Sequence, residues 1–164
     1  MIKMPITRQK EWLALSKSFA RIGRLDFDPN HESRKDRGLT LFEYVIQMAQ
    51  SIGAEIAVAK YFGDDNFDPT VDTFKREADV GSQIEVKWTL WQDGHLILNG
   101  TDRPQDVAIL VVNKAPNYVL AGWIPIAMAM REKYRRGDGS YWIPQSDLQP
   151  IENLRSSNYG DTSL

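Results

Sequence analysis

Residues 79–90 read Asp-Val-Gly-Ser-Gln-Ile-Glu-Val-Lys-Trp-Thr-Leu, and the way this stretch is parsed decides the fold. Ile84, Val86 and Trp88 alternate with Glu85 and Lys87, the period-two pattern of a strand with one apolar and one polar face. Gly81-Ser82 is suited to a tight two-residue turn, so Thr73–Val80 and Gln83–Leu90 are expected to pair as a hairpin. Such pairing carries Asp79, at the end of the first strand, close to Glu85 on the second. Two carboxylates and one ammonium would then share a small volume.

Working outward, Asp93-Gly94 is a second turn signal, leading into a short strand over His95–Leu98. Val107–Val112 is an unbroken apolar run, the signature of a strand covered on both faces. Asn117–Ile124 is expected beside it. Ile126–Arg136 has helical character up to Gly137-Asp138-Gly139, and Tyr141–Pro144 suits a short extended piece. Upstream, Trp12, Leu13, Leu15, Phe19, Ala20 and Ile22 mark a helix over residues 8–22. A longer helix begins at Thr40, where Glu43 completes a capping box, and runs through Ile46, Ile52 and Ile56 to a stop at Gly63. Gly53 inside it costs about 1 kcal/mol relative to alanine, so close packing against a sheet is the expected compensation. Helices followed by strands predict a mixed α/β (α+β) domain with a central mixed sheet flanked by helices. Its expected extent is residues 1–152, with an N-terminal helical extension over 1–38 and a polar C-terminal tail over 153–164.

The chain has 164 residues, 42% of them hydrophobic and 26% charged, which suits one domain with one core. It contains no cysteine, which removes disulfides, thiolate zinc sites, thiol nucleophiles and iron–sulfur ligation, and fits a reducing cytoplasm. Residues 118–130 are the longest nearly apolar stretch, too short and too broken for a bilayer. Residues 1–12 lack the apolar segment of a secretory signal, so a cytoplasmic location is expected. The net charge of −2 hides an uneven distribution. Residues 54–106 hold 11 acids against five bases, so that segment is −6 and the remainder +4. Bases gather in residues 3–37 and again at Arg131, Lys133, Arg135 and Arg136. A basic exterior around an acidic centre suits a protein that holds a polyanion while placing a metal on carboxylates.

The carboxylates carry the chemistry. Two oxygen ligands, with positions left open for water and phosphate, is how Mg²⁺ is usually held. A lysine two residues from a metal carboxylate can orient or deprotonate water, or steady charge developing on phosphorus. Asp79 followed by Glu85-Val86-Lys87 resembles the D…(D/E)xK signature of the PD-(D/E)xK nucleases, the restriction-endonuclease-like superfamily. The resemblance covers about residues 40–136 and extends to the order helix, hairpin, buried strand and later helix. It departs in having Ala78 where a proline often precedes the aspartate. It implies a restriction-endonuclease-like core, Asp79 and Glu85 as metal ligands, Lys87 as the catalytic lysine, and Glu55 as an auxiliary ligand from the preceding helix. It further implies Mg²⁺, with Mn²⁺ as a substitute, and hydrolysis of phosphodiester bonds, in DNA above all. In size the chain looks like the compact nucleases of phages and other mobile elements.

Other residues admit simpler readings. Glu77 lies on the same strand face as Asp79 and could replace it. Asp102 and Asp106 flank Arg103-Pro104 and read as loop chemistry, with Asp102 a candidate to support the site. His31 and His95 lack partner spacing. Tyr134, set among Arg131, Lys133, Arg135 and Arg136, is a candidate for nucleic-acid contact, the arginines meeting phosphates; a basic helix end complementing the dipole is the alternative. The chain has little room for a separate sequence-reading domain. Specificity is therefore expected from substrate shape, a homodimer or a larger complex. The competing function is a non-catalytic nucleic-acid- or protein-binding module on the same scaffold, such as an anti-restriction or assembly factor.

Overall fold

The computed structural model describes residues 1–24, 38–70 and 77–159. Four strands form the main sheet in the order β1 (Ile2–Pro5), β5 (Asn117–Pro125), β4 (Val107–Val112) and β2 (Ile84–Thr89). β1 and β4 both run antiparallel to β5, whereas β2 runs parallel to β4, so the sheet is mixed. β3 (Leu96–Leu98) and β6 (Tyr141–Ile143) pair antiparallel as a separate two-stranded sheet. The architecture is mixed α/β, as the order of elements predicts.

Every residue of β4 is buried, in keeping with its apolar run. Its alternate side chains feed two cores. Val107, Ile109 and Val111 join Ile84 and Val86 of β2 beneath α2 (Leu41–Tyr61). Ala108, Leu110 and Val112 join Leu96, Leu98 and Ile143 beneath the small sheet. Burying β4 on both faces thus requires a cover on each side. On the first side α2 packs on the sheet, and α1 (Arg8–Arg24) packs against α2.

The long helix starts and stops where its sequence dictates. Thr40 accepts a hydrogen bond from the Glu43 amide, and the Thr40 amide donates to the Glu43 carboxylate at 2.7 Å. Gly63 follows the C-cap with a φ of 93°, the left-handed region that ends helices. Mid-helix, Gly53 meets Tyr118 of β5. A Cβ there would overlap the phenol hydroxyl and approach its ring carbon to 2.9 Å. That hydroxyl is also fixed, donating to Gln50 at 2.9–3.0 Å.

Several sequence expectations need correction. The hairpin shrinks to one bridge, Val80 opposite Ile84, closed by a turn through Gly81, Ser82 and Gln83. Of the strand expected over Thr73–Val80, residues 73–76 lie outside the described residues, and 77–79 are not strand. β2 takes β4 as its partner, since Val107–Val112 offers six apolar residues that gain most from burial. β3 likewise pairs with β6 and not with β2, so Asp93-Gly94 turns the chain without making a hairpin. The helix expected over Ile126–Arg136 stops early. α3 covers Ile126–Ala129 alone, and a single 3₁₀ turn follows at Glu132–Tyr134. Burial of the Tyr134 ring in the second core accounts for the break. The first residues do more than extend the domain, because Ile2–Pro5 supplies an edge strand, with Pro5 at its end where no ladder bond is lost. The polar tail is partly packed: Leu154 is buried, and Tyr159 lies edge-on to Trp123 at 5.9 Å. Residues 160–164 lie outside the described residues. Among the described residues, no helix is long and apolar enough to cross a membrane.

The Gly53 contact yields a stability test. Gly53→Ala is expected to destabilise the fold by about 1–3 kcal/mol, although alanine is the better helix former. Urea unfolding measures this, and Tyr118→Phe in the Gly53→Ala background should recover part of the loss by removing the obstructing oxygen.

Candidate active site

β2 is the outer strand of the main sheet, and the Asp79 carboxylate closes part of its open edge. The Val86 N–H donates to Asp79 Oδ2 at 2.8 Å, and the Asp79 amide donates to the Ile84 carbonyl at 2.9 Å. The single-bridge hairpin is therefore enough to set Asp79 beside β2. Glu77, the alternative on the same segment, is exposed.

Glu85 and Lys87 stand opposite Ala108 and Leu110 of β4, whose side chains belong to the second core. Ile84 and Val86 point to the first core. Strict alternation thus turns the two charged residues away from α2. Lys87 Nζ lies 2.9 Å from Glu85 Oε1 and 2.9 Å from Asp102 Oδ1. Asp102 belongs to the loop after β3 and is itself held, since its Oδ2 accepts the Asn99 amide at 2.6 Å. All three side chains are mostly covered.

The charges act on one another. Burial raises the pKa of Glu85, the nearby Asp79 and Asp102 carboxylates raise it further, and Lys87 works against them. For Lys87, burial favours loss of the proton, but Glu85 and Asp102 outweigh it and hold the ammonium above its usual range. Both shifts are upward, which favours the charged form of Lys87 and disfavours that of Glu85. Lys87 gains from its two anions, Glu85 and Asp102, whereas Glu85 is buried and meets two like charges and one opposite.

Asp79 and Glu85 therefore fit the Mg²⁺ that the sequence resemblance implies. They are adjacent, repel each other, and are hard oxygen donors of the kind Mg²⁺ takes one or two at a time. Among the described residues, no group of three or more His, Asp or Glu side chains forms a protein-only cage.

Glu55 is not brought to them. Arg21 of α1 engages its carboxylate with two bonds, of 3.0 and 2.8 Å, in a buried pair between α1 and α2. Arg21 Nε also donates to the Thr70 carbonyl at 2.8 Å. Glu55 therefore has a structural cation on the α2 side of the sheet instead of a place beside Glu85. The site gains Asp102 in its stead. The sequence hint for Asp102 was only its acidity in a loop after a short strand, because its meeting with Lys87 depends on how that loop folds back.

The basic segment is also rearranged. Tyr134 is buried, and its hydroxyl donates to Asp147 at 2.6 Å, so its ring is not open to a nucleic acid. Lys133 pairs with Asp147 and Arg135 with Glu132, at 3.1 and 3.6 Å. Arg131 and Arg136 are exposed. His95 packs against Trp142 at 5.9 Å, and His31 lies outside the described residues.

Scans of the chain against models of protein families, curated proteins and solved structures return no match.

The buried Glu55–Arg21 pair makes a prediction separable from the site. Arg21→Ala strands a buried carboxylate and should lower unfolding free energy by about 3–5 kcal/mol. Replacing both partners, as Arg21→Met with Glu55→Leu, should restore most of it. Chemical denaturation checks both, and neither change should alter Mn²⁺ binding at Asp79 and Glu85.

Proposed function

We propose that the chain is a metal-dependent nuclease of PD-(D/E)xK type that hydrolyses phosphodiester bonds, with DNA as the expected substrate and a restriction-endonuclease-like arrangement of its core. One observation carries this reading: Asp79, Glu85 and Lys87, picked out by their spacing, lie together at one edge of the sheet, Asp79 held by the Val86 amide and Lys87 by Glu85. Asp79 and Glu85 would hold the metal. When bound, Mg²⁺ supplies positive charge at the scissile phosphate and acidifies a coordinated water.

Lys87 has a narrower role in this scheme than its position in a motif suggests. Its ammonium is bonded to Glu85 and Asp102, an arrangement that suits a fixed cation. Its Nζ can orient the attacking water and oppose the charge that accumulates on phosphorus. Asp102 keeps the ammonium in register with Glu85, and the Asn99 amide keeps Asp102 in place. Proton transfer from the water then falls to solvent or to the substrate itself.

The same double pairing favours a second reading. An ammonium already satisfied by two anions can serve structure alone, as in a non-catalytic binding module on this scaffold. The two readings separate in one experiment. Purified protein is incubated with plasmid, single-stranded and branched DNA in Mg²⁺ or Mn²⁺. Metal-dependent cleavage that falls by at least about 100-fold in Lys87→Ala, in line with the loss of one transition-state cation, supports the nuclease. Binding without cleavage of any substrate supports the module.

Metal binding has its own readout. Saturating Mn²⁺, at roughly 100 times its dissociation constant, should stabilise the fold by about 2.7 kcal/mol, seen as a rise in thermal midpoint. The rise should disappear in Asp79→Asn and Glu85→Gln. An unchanged midpoint in the unsubstituted protein would remove the metal site.

A further inference from the structure

The outer face of the small sheet carries an aromatic group that its own fold does not use. In β6, Ile143 points into the second core and Trp142 points outward, 37% exposed. Its ring is held rather than free. The indole N–H donates to Ser140 Oγ at 2.9 Å, the Arg136 guanidinium lies 5.6 Å from its ring centroid, and His95 packs at 5.9 Å. Trp91, 70% exposed, sits on the loop that leads into β3. Gln145, just beyond β6, donates to the carbonyls of Gln92 and Gly94 at 2.8 and 3.0 Å and ties that loop to the segment after β6.

Charge defines what such a surface fits. Residues 131–142 hold four bases and two acids, and Lys133 and Arg135 are paired to carboxylates. Arg131 and Arg136 are exposed and have no carboxylate partner among the described residues. An exposed, oriented indole beside the Arg136 guanidinium suits a flat π-face joined to an anion, which is the chemistry of an unpaired base on its phosphate. A continuous duplex keeps its base faces stacked and cannot use it. The platform is also connected to the carboxylate site. Trp142 lies opposite Ile97 in the β3–β6 register, and the chain continues from β3 through Asn99 to Asp102, which holds Lys87.

We propose that Trp142, backed by Arg136 and flanked by His95, is a stacking platform for an unpaired base, and that the protein binds single-stranded nucleic acid there. The direction of the strand toward Lys87 rests on the nuclease reading, whereas the binding itself does not.

The test is fluorescence anisotropy of a labelled oligothymidylate and of a duplex of equal length. It is made in EDTA with Lys87→Ala protein, so that cleavage cannot interfere. The single strand should bind more tightly than the duplex. Adding Trp142→Ala should weaken single-strand binding about 5- to 150-fold, the range for loss of one base stack, and Trp142→Phe should retain most of the affinity. An oligonucleotide with abasic sites should bind weakly and show little response to Trp142→Ala. Arg136→Gln should reduce the slope of log affinity against log salt by about one. Equal single-strand affinity in Trp142→Ala, or a preference for duplex, overturns the platform, and wild-type metal-dependent cleavage would still stand for the nuclease. Trp142-dependent single-strand binding in a protein that cleaves nothing upholds the platform and removes the nuclease.

Discussion

The parallel ladder between β2 and β4 is the constraint on which the rest depends. β4 is apolar at all six positions and must be dry on both faces. β2 is apolar at alternate positions only. Pairing the two in register puts Ile84 and Val86 in the core beneath α2 and leaves Glu85 and Lys87 on the opposite side, facing a second and smaller core. A slip of one residue would bury both charges beneath the long helix, so register is strongly specified. The charged pair is not an ornament on a solvated face. It is the residue pattern of an edge strand pressed against a strand that tolerates no water.

The electrostatics of the cluster follow from that placement. Partial burial makes each charge depend on its neighbours, and one ammonium is shared between Glu85 and Asp102. Other charges of the fold meet single counter-charges. Glu55 and Arg21 meet in a two-pronged pair, and Tyr134 and Lys133 both bond to Asp147.

The aromatic residues sort by the same geometry. Trp123 and Tyr118 lie in β5, between two cores, and are buried. Trp142 lies in a two-stranded sheet that is covered on one side only, so alternation exposes it. Sequence position alone cannot separate these cases, because a strand with one covered face and a strand with two covered faces can both carry a tryptophan.

Much was legible from the chain itself. Residue-to-residue periodicity is a local property, and it marked α1, α2, β2, β4, β5 and the capping box at Thr40 with Glu43. Spacing also singled out Asp79, Glu85 and Lys87. Partner choice was not legible. The turn at Gly81-Ser82 suggested a full hairpin, yet β2 gains more from Val107–Val112 than from the residues before the turn. Local signals also missed β1, whose four residues carry too few alternations, and they overextended the helix after Ile126. The tertiary structure alone assigned Glu55 to Arg21, Asp102 to Lys87, Tyr134 to the core and Trp142 to the surface. The physical reason is common to all four. Whether a polar or aromatic side chain serves the core, an ion pair or a ligand depends on what lies across from it in space, and those neighbours are distant along the chain.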